Sequence, residues 1–232
     1  MRDSHDPWLL PTRQADHPTR RVLPSALLHA RREGTFLVLA AIVLVAATAL
    51  VLLGTGRIVD LDQVLASVLA EVELPVAMSL PIGVLAFPPG VLAVMLVCEL
   101  YGRRRSIALV VVGSSAAVGL VGLVRVARPD LDGAVGPGLA LASCYLIAQL
   151  SNTLIFDALR RRMRDRQLWL RANVATLLAQ LGGWAAFAFV LHGTSDTISD
   201  QAIGSLAAGG FAFTSACVLL GTLPLVRSES VV

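Results

Sequence analysis

"FLVLAAIVLVAATALVLL", residues 36–53, contains one polar side chain, the hydroxyl of Thr48, and no charge. A helix needs about 20 mostly apolar residues to cross the hydrocarbon core of a bilayer, so this segment is long enough to span a membrane. Hydrophobic residues make up 56% of the 232 positions and charged residues 15%, whereas a typical soluble domain has about 25% charged residues. We therefore predict an all-α polytopic membrane protein with six transmembrane helices, at 35–55, 75–98, 106–126, 137–159, 169–191 and 202–224.

The six spans leave little of the chain for a soluble domain. Segment 1–34 is rich in Pro, Asp and Arg and has no hydrophobic periodicity, so we predict a disordered, basic, cytoplasmic tail. Residues 35–226 form the predicted six-helix transmembrane domain. The chain contains no Walker, HExxH or GxGxxG pattern, and its three cysteines are far apart in the sequence. We therefore expect no enzymatic activity, no catalytic residues, no metal and no cofactor.

The basic residues, all 19 of them arginine, are distributed unevenly between alternate loops. Sixteen lie in the N-terminal tail, the second loop, the fourth loop region and the C-terminal segment, and three lie in the other loops. The positive-inside rule then places both termini of this multi-pass protein in the cytoplasm, and the all-arginine, Ala- and Val-rich composition suggests a bacterial source. This topology explains the clusters "RRR" (103–105) and "RRRMRDR" (160–166), so we expect no nucleic-acid partner.

Two of the predicted spans carry polar and aromatic side chains at helical spacing. These are Tyr145, Gln149, Asn152 and Phe156 in the fourth span, and Asn173, Thr176 and Gln180 in the fifth. At 1.5 Å per residue, both glutamines lie roughly 15 Å into the membrane. Because a buried amide needs a hydrogen-bond partner, we expect Gln149 and Gln180 to face each other across a central cavity, which Asn152 and Asn173 extend toward the cytoplasm. The alternative is that these side chains only hold helices together.

The second span contains three prolines within "LPIGVLAFPPGVLAVMLVCELYG", residues 80–102. Proline lacks a backbone N–H and opens the preceding turn, so we predict that Pro88 and Pro89 break or kink this helix near its middle. Interrupted spans point to the substrate site of a transporter, because freed carbonyls must be satisfied by protein or by a water-filled cavity. A kink without a binding role is the alternative. Glu99, at the inner end of the span, has arginines nearby to balance its charge.

Three segments in spans two to five carry distinctive motifs. They are "FPPGVLAVMLVCELYGRRR" (87–105), "YLIAQLSNTLIFDALRRR" (145–162) and "WLRANVATLLAQL" (169–181). In this order they resemble the Phe-Pro block with Glu-x-Tyr-Gly, the Tyr-Leu-Ile-Ser-Gln signature and the Trp-Leu-Arg-x-Asn pattern of the queuosine precursor transporter family, which is grouped with the vitamin uptake transporters. The resemblance implies an inner-membrane carrier that imports a queuosine precursor, a deazapurine base, or a related planar, nucleobase-like compound.

The polar stripes and this resemblance together predict a binding site for a flat polar ring. Amide side chains present paired donor and acceptor edges to such a ring, and aromatic side chains can stack on its faces. The expected substrate-binding residues are Phe87, Pro88, Glu99, Tyr145, Gln149, Asn152, Phe156, Arg171, Asn173, Thr176 and Gln180.

The chain departs from the family at positions where the resemblance implies acidic residues inside the membrane. Met95, Asn152 and Gly183 stand there, and Ala148 and Ala179 replace two serines. Coupling of transport to protons or other ions is therefore open. The alternatives are a substrate-binding membrane subunit that requires a separate ATPase module, and a relative that does not transport.

The expected partners are the lipid bilayer and a small-molecule substrate. Small residues in the last span, in the pairs Gly204 with Ala208 and Ser205 with Gly209, would permit a close helix contact. That contact is either internal to the chain or part of a homo-oligomer.

Overall fold

The computed structural model describes residues 25–54, 58–60, 79–127, 135–163, 168–195 and 198–229. The chain divides into two units after Thr35, and the second of them begins at Phe36. In chain order the elements are helix α1 (Ser25–Gly54), strands β1 (Ile58–Asp60) and β2 (Ser79–Pro81), a 3-10 helix (Ile82–Ala86), and helices α2 (Phe87–Tyr101), α3 (Arg103–Ala127), α4 (Val135–Arg162), α5 (Leu168–Thr194) and α6 (Asp200–Glu229).

Six helical segments in the described ranges are long and apolar enough to cross a membrane. They are Arg32–Gly54, Ile82–Tyr101, Arg103–Ala127, Val135–Arg162, Leu168–Thr194 and Asp200–Thr222. Each contains 20 to 28 residues, which matches the length that the hydrocarbon core requires. The predicted all-α polytopic fold with six spans is confirmed.

Helix α1 begins before its membrane-spanning part. Residues 25–34, which were expected to belong to the disordered tail, form its first turns. The segment "SALLHARREG" explains this, because it is rich in Ala, Leu and Arg, which are strong helix formers. The rest of the predicted tail, residues 1–24, lies outside the described residues.

The prolines of the second span lie at the start of a helix. The chain passes from β2 through the 3-10 helix into α2, and Pro88 and Pro89 occupy the first turn of α2. The N–H groups of a first turn have no acceptor within the helix, so proline removes no hydrogen bond there. The predicted break near the middle of the span is therefore not confirmed, because the prolines stand where an α-helix accepts them.

A single residue separates α2 from α3. Gly102 has a φ of 87°, a region that favours glycine, and its N–H donates to the Cys98 carbonyl at 3.1 Å. The chain therefore turns within one residue, and Arg103, Arg104 and Arg105 form the first turn of α3. This turn places three arginines at the end of the bundle where α2 finishes.

Helices α4 and α5, which carry the two polar stripes, share the most extensive contact among the described elements. Helix α6 packs against α5, α3 packs against α4, and α2 contacts α3, α4 and α6. On α1, Ala46 lies close to Gly90 of α2, and Ala47 lies close to Gly113 of α3. The stripes therefore lie on neighbouring helices at the centre of the bundle.

Strands β1 and β2 form a short antiparallel sheet at the end of the bundle opposite the Arg103–Arg105 turn. In it Val59 pairs with Leu80, and Asp60 pairs with Ser79. The Ser79 N–H donates to Ser205 Oγ of α6 at 3.1 Å, and Gly209 of α6 lies against the Ser79 backbone with no room for a Cβ atom. The Ser205–Gly209 pair therefore makes an internal contact, with a strand rather than a helix.

Candidate functional site

Three amides on α4 and α5 form a group that we call the amide cluster: Gln149, Asn152 and Gln180. All three side chains are at most 1% exposed. Neither amide atom of Gln149 or of Asn152 has a hydrogen-bond partner among the described residues, and neither does Gln180 Oε1. Leaving a buried polar group unpaired costs about 1–3 kcal/mol. Because most buried polar groups in proteins are paired, five unpaired atoms on three neighbouring amides of the described chain are an unusual feature of this bundle.

Helices α4 and α5 approach each other most tightly beside this cluster. A Cβ atom on Gly183 would lie 2.6 Å from Ala148 Cβ and 3.0 Å from the Cys144 carbonyl oxygen, so only glycine permits this separation. The helices follow each other in the chain and run antiparallel. Gln149 comes directly after Ala148, and Asn152 and Gln180 are each about one turn from the contact, on the side of the arginine clusters. The three amides therefore occupy one level of the bundle.

Packing occupies two of the positions at which acids were expected. Residues of α4 occupy the space beside Gly183, where a side chain would lie. Met95 Sδ accepts a hydrogen bond from Thr176 Oγ1 at 3.4 Å. At the third position Asn152 is a member of the amide cluster. A carboxylate side chain at Gly183 would force α4 and α5 apart, so the close packing of these helices requires glycine at this position.

Two of the predicted substrate-binding residues, Asn173 and Thr176, form hydrogen bonds with neighbouring groups. Asn173 Nδ2 donates to the Trp169 carbonyl at 2.9 Å, and Asn173 Oδ1 accepts from Thr222 Oγ1 of α6 at 3.0 Å. Thr176 donates to Met95 of α2. Both side chains therefore join α5 to other helices.

The three aromatic side chains expected around a ligand ring are divided between two places. The Phe87 and Tyr145 rings meet edge to face with centroids 5.8 Å apart, and Tyr145 Oη donates to the Val43 carbonyl of α1 at 3.5 Å. Pro88 is buried beside Phe87 in the first turn of α2. Phe156 instead lies under the Arg171 guanidinium, with Cζ 5.4 Å from the ring centroid.

Glu99, Arg160 and Arg171 form an ionic cluster at the ends of α2, α4 and α5. Glu99 Oε1 lies 3.7 Å from Arg171 Nη2, and Glu99 Oε2 lies 3.8 Å from Arg160 Nε. Arg160 Nη1 also donates to the Glu99 carbonyl oxygen at 3.2 Å. The Arg171 side chain is 1% exposed, so its charge depends on this carboxylate and on the face of Phe156. Within the described ranges, no group of three His, Cys, Asp or Glu residues could hold a metal ion.

A cavity of about 130 Å³ lies next to the ionic cluster. Glu99 and Phe156 form part of its wall, and the other lining residues are Leu92, Met95, Leu96, Leu168, Ala172 and Gly221. Its surface is therefore mostly apolar, with one carboxylate. The cavity lies at the level of Phe156, one turn of α4 closer to the arginine clusters than Asn152, and none of the three amides lines it.

Arg160 is a site residue that the sequence reasoning missed. Its charge was attributed to membrane topology alone, whereas the structure pairs it with Glu99. A signal was available, because Arg160 lies four residues after Phe156 and so continues the stripe of α4. Arg171 and Glu99, which were both expected in the site, are brought together.

Comparisons with known proteins agree with this architecture. Residues 81–227, well over half of the chain, match the model of the family described as "Putative vitamin uptake transporter". Searches of curated proteins and of solved structures find no match to the chain. The matched residues contain the amide cluster, the ionic cluster and five of the six spans. The chain belongs to this vitamin uptake transporter family.

Proposed function

We propose that the protein is a carrier in a bacterial inner membrane that imports a small, planar, polar heterocycle of the queuosine-precursor class, such as a deazapurine base or a related nucleobase-like compound. Family membership supports transport across a membrane. The observation that carries the ligand chemistry is the amide cluster, whose buried donors and acceptors have no partner among the described residues. A flat heterocycle with ring N–H and carbonyl groups presents the complementary pattern.

Each member of the amide cluster has a distinct part in this proposal. Gln149 and Gln180 hydrogen-bond opposite edges of the ring, and Asn152 supplies a further donor and acceptor. Phe156, in the wall of the cavity one turn away, would offer an apolar face to a ring that moves toward the arginine-rich end.

Uptake by the purified protein tests the proposal. The full chain is reconstituted alone into liposomes, and entry of a radiolabelled deazapurine base is followed against liposomes without protein. We expect saturable uptake that unlabelled deazapurine competes away. Absence of uptake, together with the absence of any ligand-induced thermal shift across purine and deazapurine bases, would overturn the proposal.

A second candidate is a substrate-binding subunit that requires a separate ATPase module. Met95 and Gly183 replace the acids that the resemblance implies, and packing occupies both positions. Glu99 and Asp157, acids at the inner ends of α2 and α4, are ion-paired with arginines. This pattern disfavours a proton relay at mid-membrane. Ligand binding without uptake by the isolated protein, together with recovery of an ATPase in a pull-down, would favour the subunit.

The proposed orientation has a separate test. Sixteen of the 19 arginines lie on the side that holds both termini, so we expect both termini in the cytoplasm. A C-terminal reporter that is active only in the cytoplasm should give signal, and one that is active only in the periplasm should give none. The reverse result would contradict the orientation.

A further inference from the structure

A groove of about 620 Å³ lies on the arginine-rich side of the bundle, where α2 ends, α3 begins and α4 ends. It is separate from the amide cluster and from the cavity beside Phe156. Its lining consists of Tyr101, Gly102, Arg103, Arg104, Ile107, Asp157 and Arg161. These residues lie at the ends of predicted spans, which is the depth of lipid headgroups.

The groove carries an excess of positive charge. Asp157 Oδ2 lies 2.9 Å from Arg161 Nη2 and 3.7 Å from Arg103 Nη1, so one carboxylate is shared by two guanidinium groups. Arg104 is exposed and has no ion pair or hydrogen bond within the part of the chain that the structure describes. Three arginines against one acid leave a site that is complementary to an anion.

Exposed apolar surface continues from the groove along α3. Ala108, Val111 and Val118 follow Arg104 on one helical face, and all three are exposed. Val111 is 46% exposed and Val118 47%. Such a stripe faces lipid tails in a membrane-spanning helix.

Helix α4 repeats this arrangement on the other side of the groove. Ile147, Leu154 and Ala158 are exposed and lead along α4 to Arg161. The groove therefore lies at the head of two apolar stripes on adjacent helices.

We propose that this groove binds the phosphate headgroup of an anionic phospholipid, whose acyl chains lie along the stripes of α3 and α4. Basic pockets at the cytoplasmic surface attract anionic headgroups. The planar guanidinium groups suit a phosphate, because they can donate two parallel hydrogen bonds to it. A soluble phosphate would use the arginines alone, whereas a lipid uses the stripes as well, so the adjoining apolar surface favours a lipid. The bound lipid would hold the α2–α3 turn against the end of α4, the helix that carries two of the three amides.

Arg104→Gln tests the headgroup contact without disturbing the ion pairs of Asp157. The matched control is Arg162→Gln, because Arg162 is exposed at the same end of α4, does not line the groove and makes no ion pair among the described residues. Both variants lose one positive charge at the same end of the bundle. Only one of them loses it inside the groove.

The measurement is native mass spectrometry of the full chain in a neutral detergent, titrated with phosphatidylglycerol or with phosphatidylcholine, and with inorganic phosphate as competitor. Wild type and Arg162→Gln should retain phosphatidylglycerol preferentially. Arg104→Gln should bind it about fivefold more weakly, as expected for one arginine near an anionic headgroup. Millimolar phosphate should not displace it.

Three results would overturn the proposal. Equal losses in the two variants would show diffuse surface attraction rather than a site. Equal retention of phosphatidylcholine would show that the charge does not matter. Displacement by inorganic phosphate would show a site for a soluble anion.

Discussion

The middle and the N-terminal end of α5 carry similar polar side chains, yet the bundle surrounds them differently. Asn173, near the N-terminal end, hydrogen-bonds to the Trp169 carbonyl and to Thr222. Gln180, two turns further along, keeps its Oε1 atom without a partner in the described part of the chain. Both side chains are buried. Two side chains on one polar stripe can therefore differ in whether the bundle supplies them with hydrogen-bond partners.

Adjacent residues of α4 show the same contrast. Thr153 shares a 3.1 Å hydrogen bond with Ser106 of α3, and Ser106 also donates to the Val94 carbonyl of α2 at 3.3 Å. Asn152, one residue earlier, has neither amide atom paired among the described residues. We therefore separate structural polar contacts, which join helices, from the amide cluster, whose unpaired atoms we assign to a ligand in the proposed function.

The largest expected effect comes from the ionic cluster, which is structural on this account. Glu99→Gln leaves the fully buried Arg171 cation beside a neutral amide. Breaking a buried ion pair costs about 3–5 kcal/mol, and the partial exposure of Glu99 puts the expected loss of stability near the lower end, at about 3 kcal/mol. The check is the thermal-unfolding midpoint of the purified protein.

Asp157→Asn is the matched control for this variant. Asp157 pairs with Arg103 and Arg161, whose side chains are 46% and 72% exposed. Exposed pairs contribute about 0–1 kcal/mol, so the midpoint should fall much less. If the unfolding midpoint falls equally in the two variants, the ionic cluster contributes no more stability than an exposed ion pair.

The next effect concerns the contact between α4 and α5. Gly183→Ala should destabilise the bundle by about 1–3 kcal/mol, because the new methyl group overlaps Ala148. Gly182→Ala is the control, since a Cβ atom there would lie 3.9 Å from Ile147 Cγ2, an ordinary contact. The control should keep or raise stability, because alanine favours a helix over glycine. If both variants unfold at the wild-type temperature, the tight approach is not a constraint.

The smallest effect is expected for Asn173→Leu. The change removes the hydrogen bond with Thr222 that joins α5 to α6, and interhelical hydrogen bonds in membranes contribute about 0.6 kcal/mol on average. The unfolding midpoint should fall slightly while deazapurine affinity stays at the wild-type value. A loss of affinity with an unchanged midpoint would place Asn173 in the binding site instead.

The sequence predicted the helices and the faces that carry polar groups, because hydrophobic length and the 3.6-residue period are local properties. That Gln149 and Gln180 face each other across a central cavity stays a prediction, because neither side chain lines the cavity beside Phe156. The sequence did not predict the fit of Gly183 against Ala148, or the use of Arg160 by Glu99. Those features depend on which side chains of different helices are in contact. A periodic pattern predicts on which face of its helix a residue lies, but not which residue of another helix it contacts.

The prolines of α2 show that the sequence pattern also does not predict where this helix begins. A proline pair inside an apolar run predicts a break, yet the structure begins an α-helix at Phe87 so that the prolines fall in its first turn. Strand β2 and the 3-10 helix directly precede this starting point. The apolar run alone does not mark it.

The binding role of the amide cluster is tested most directly by comparing deazapurine binding by Gln149→Leu and Asn173→Leu. Binding is measured by isothermal titration of the two purified variants beside wild type. Gln149 has no partner among the described residues, whereas Asn173 has two. We predict that Gln149→Leu keeps or raises the wild-type unfolding midpoint and binds the ligand about 5- to 150-fold more weakly, which corresponds to about 1–3 kcal/mol for a lost buried hydrogen-bond partner. Asn173→Leu should bind the ligand as wild type does. Unchanged affinity in Gln149→Leu would contradict the central claim that the amide cluster is the binding site.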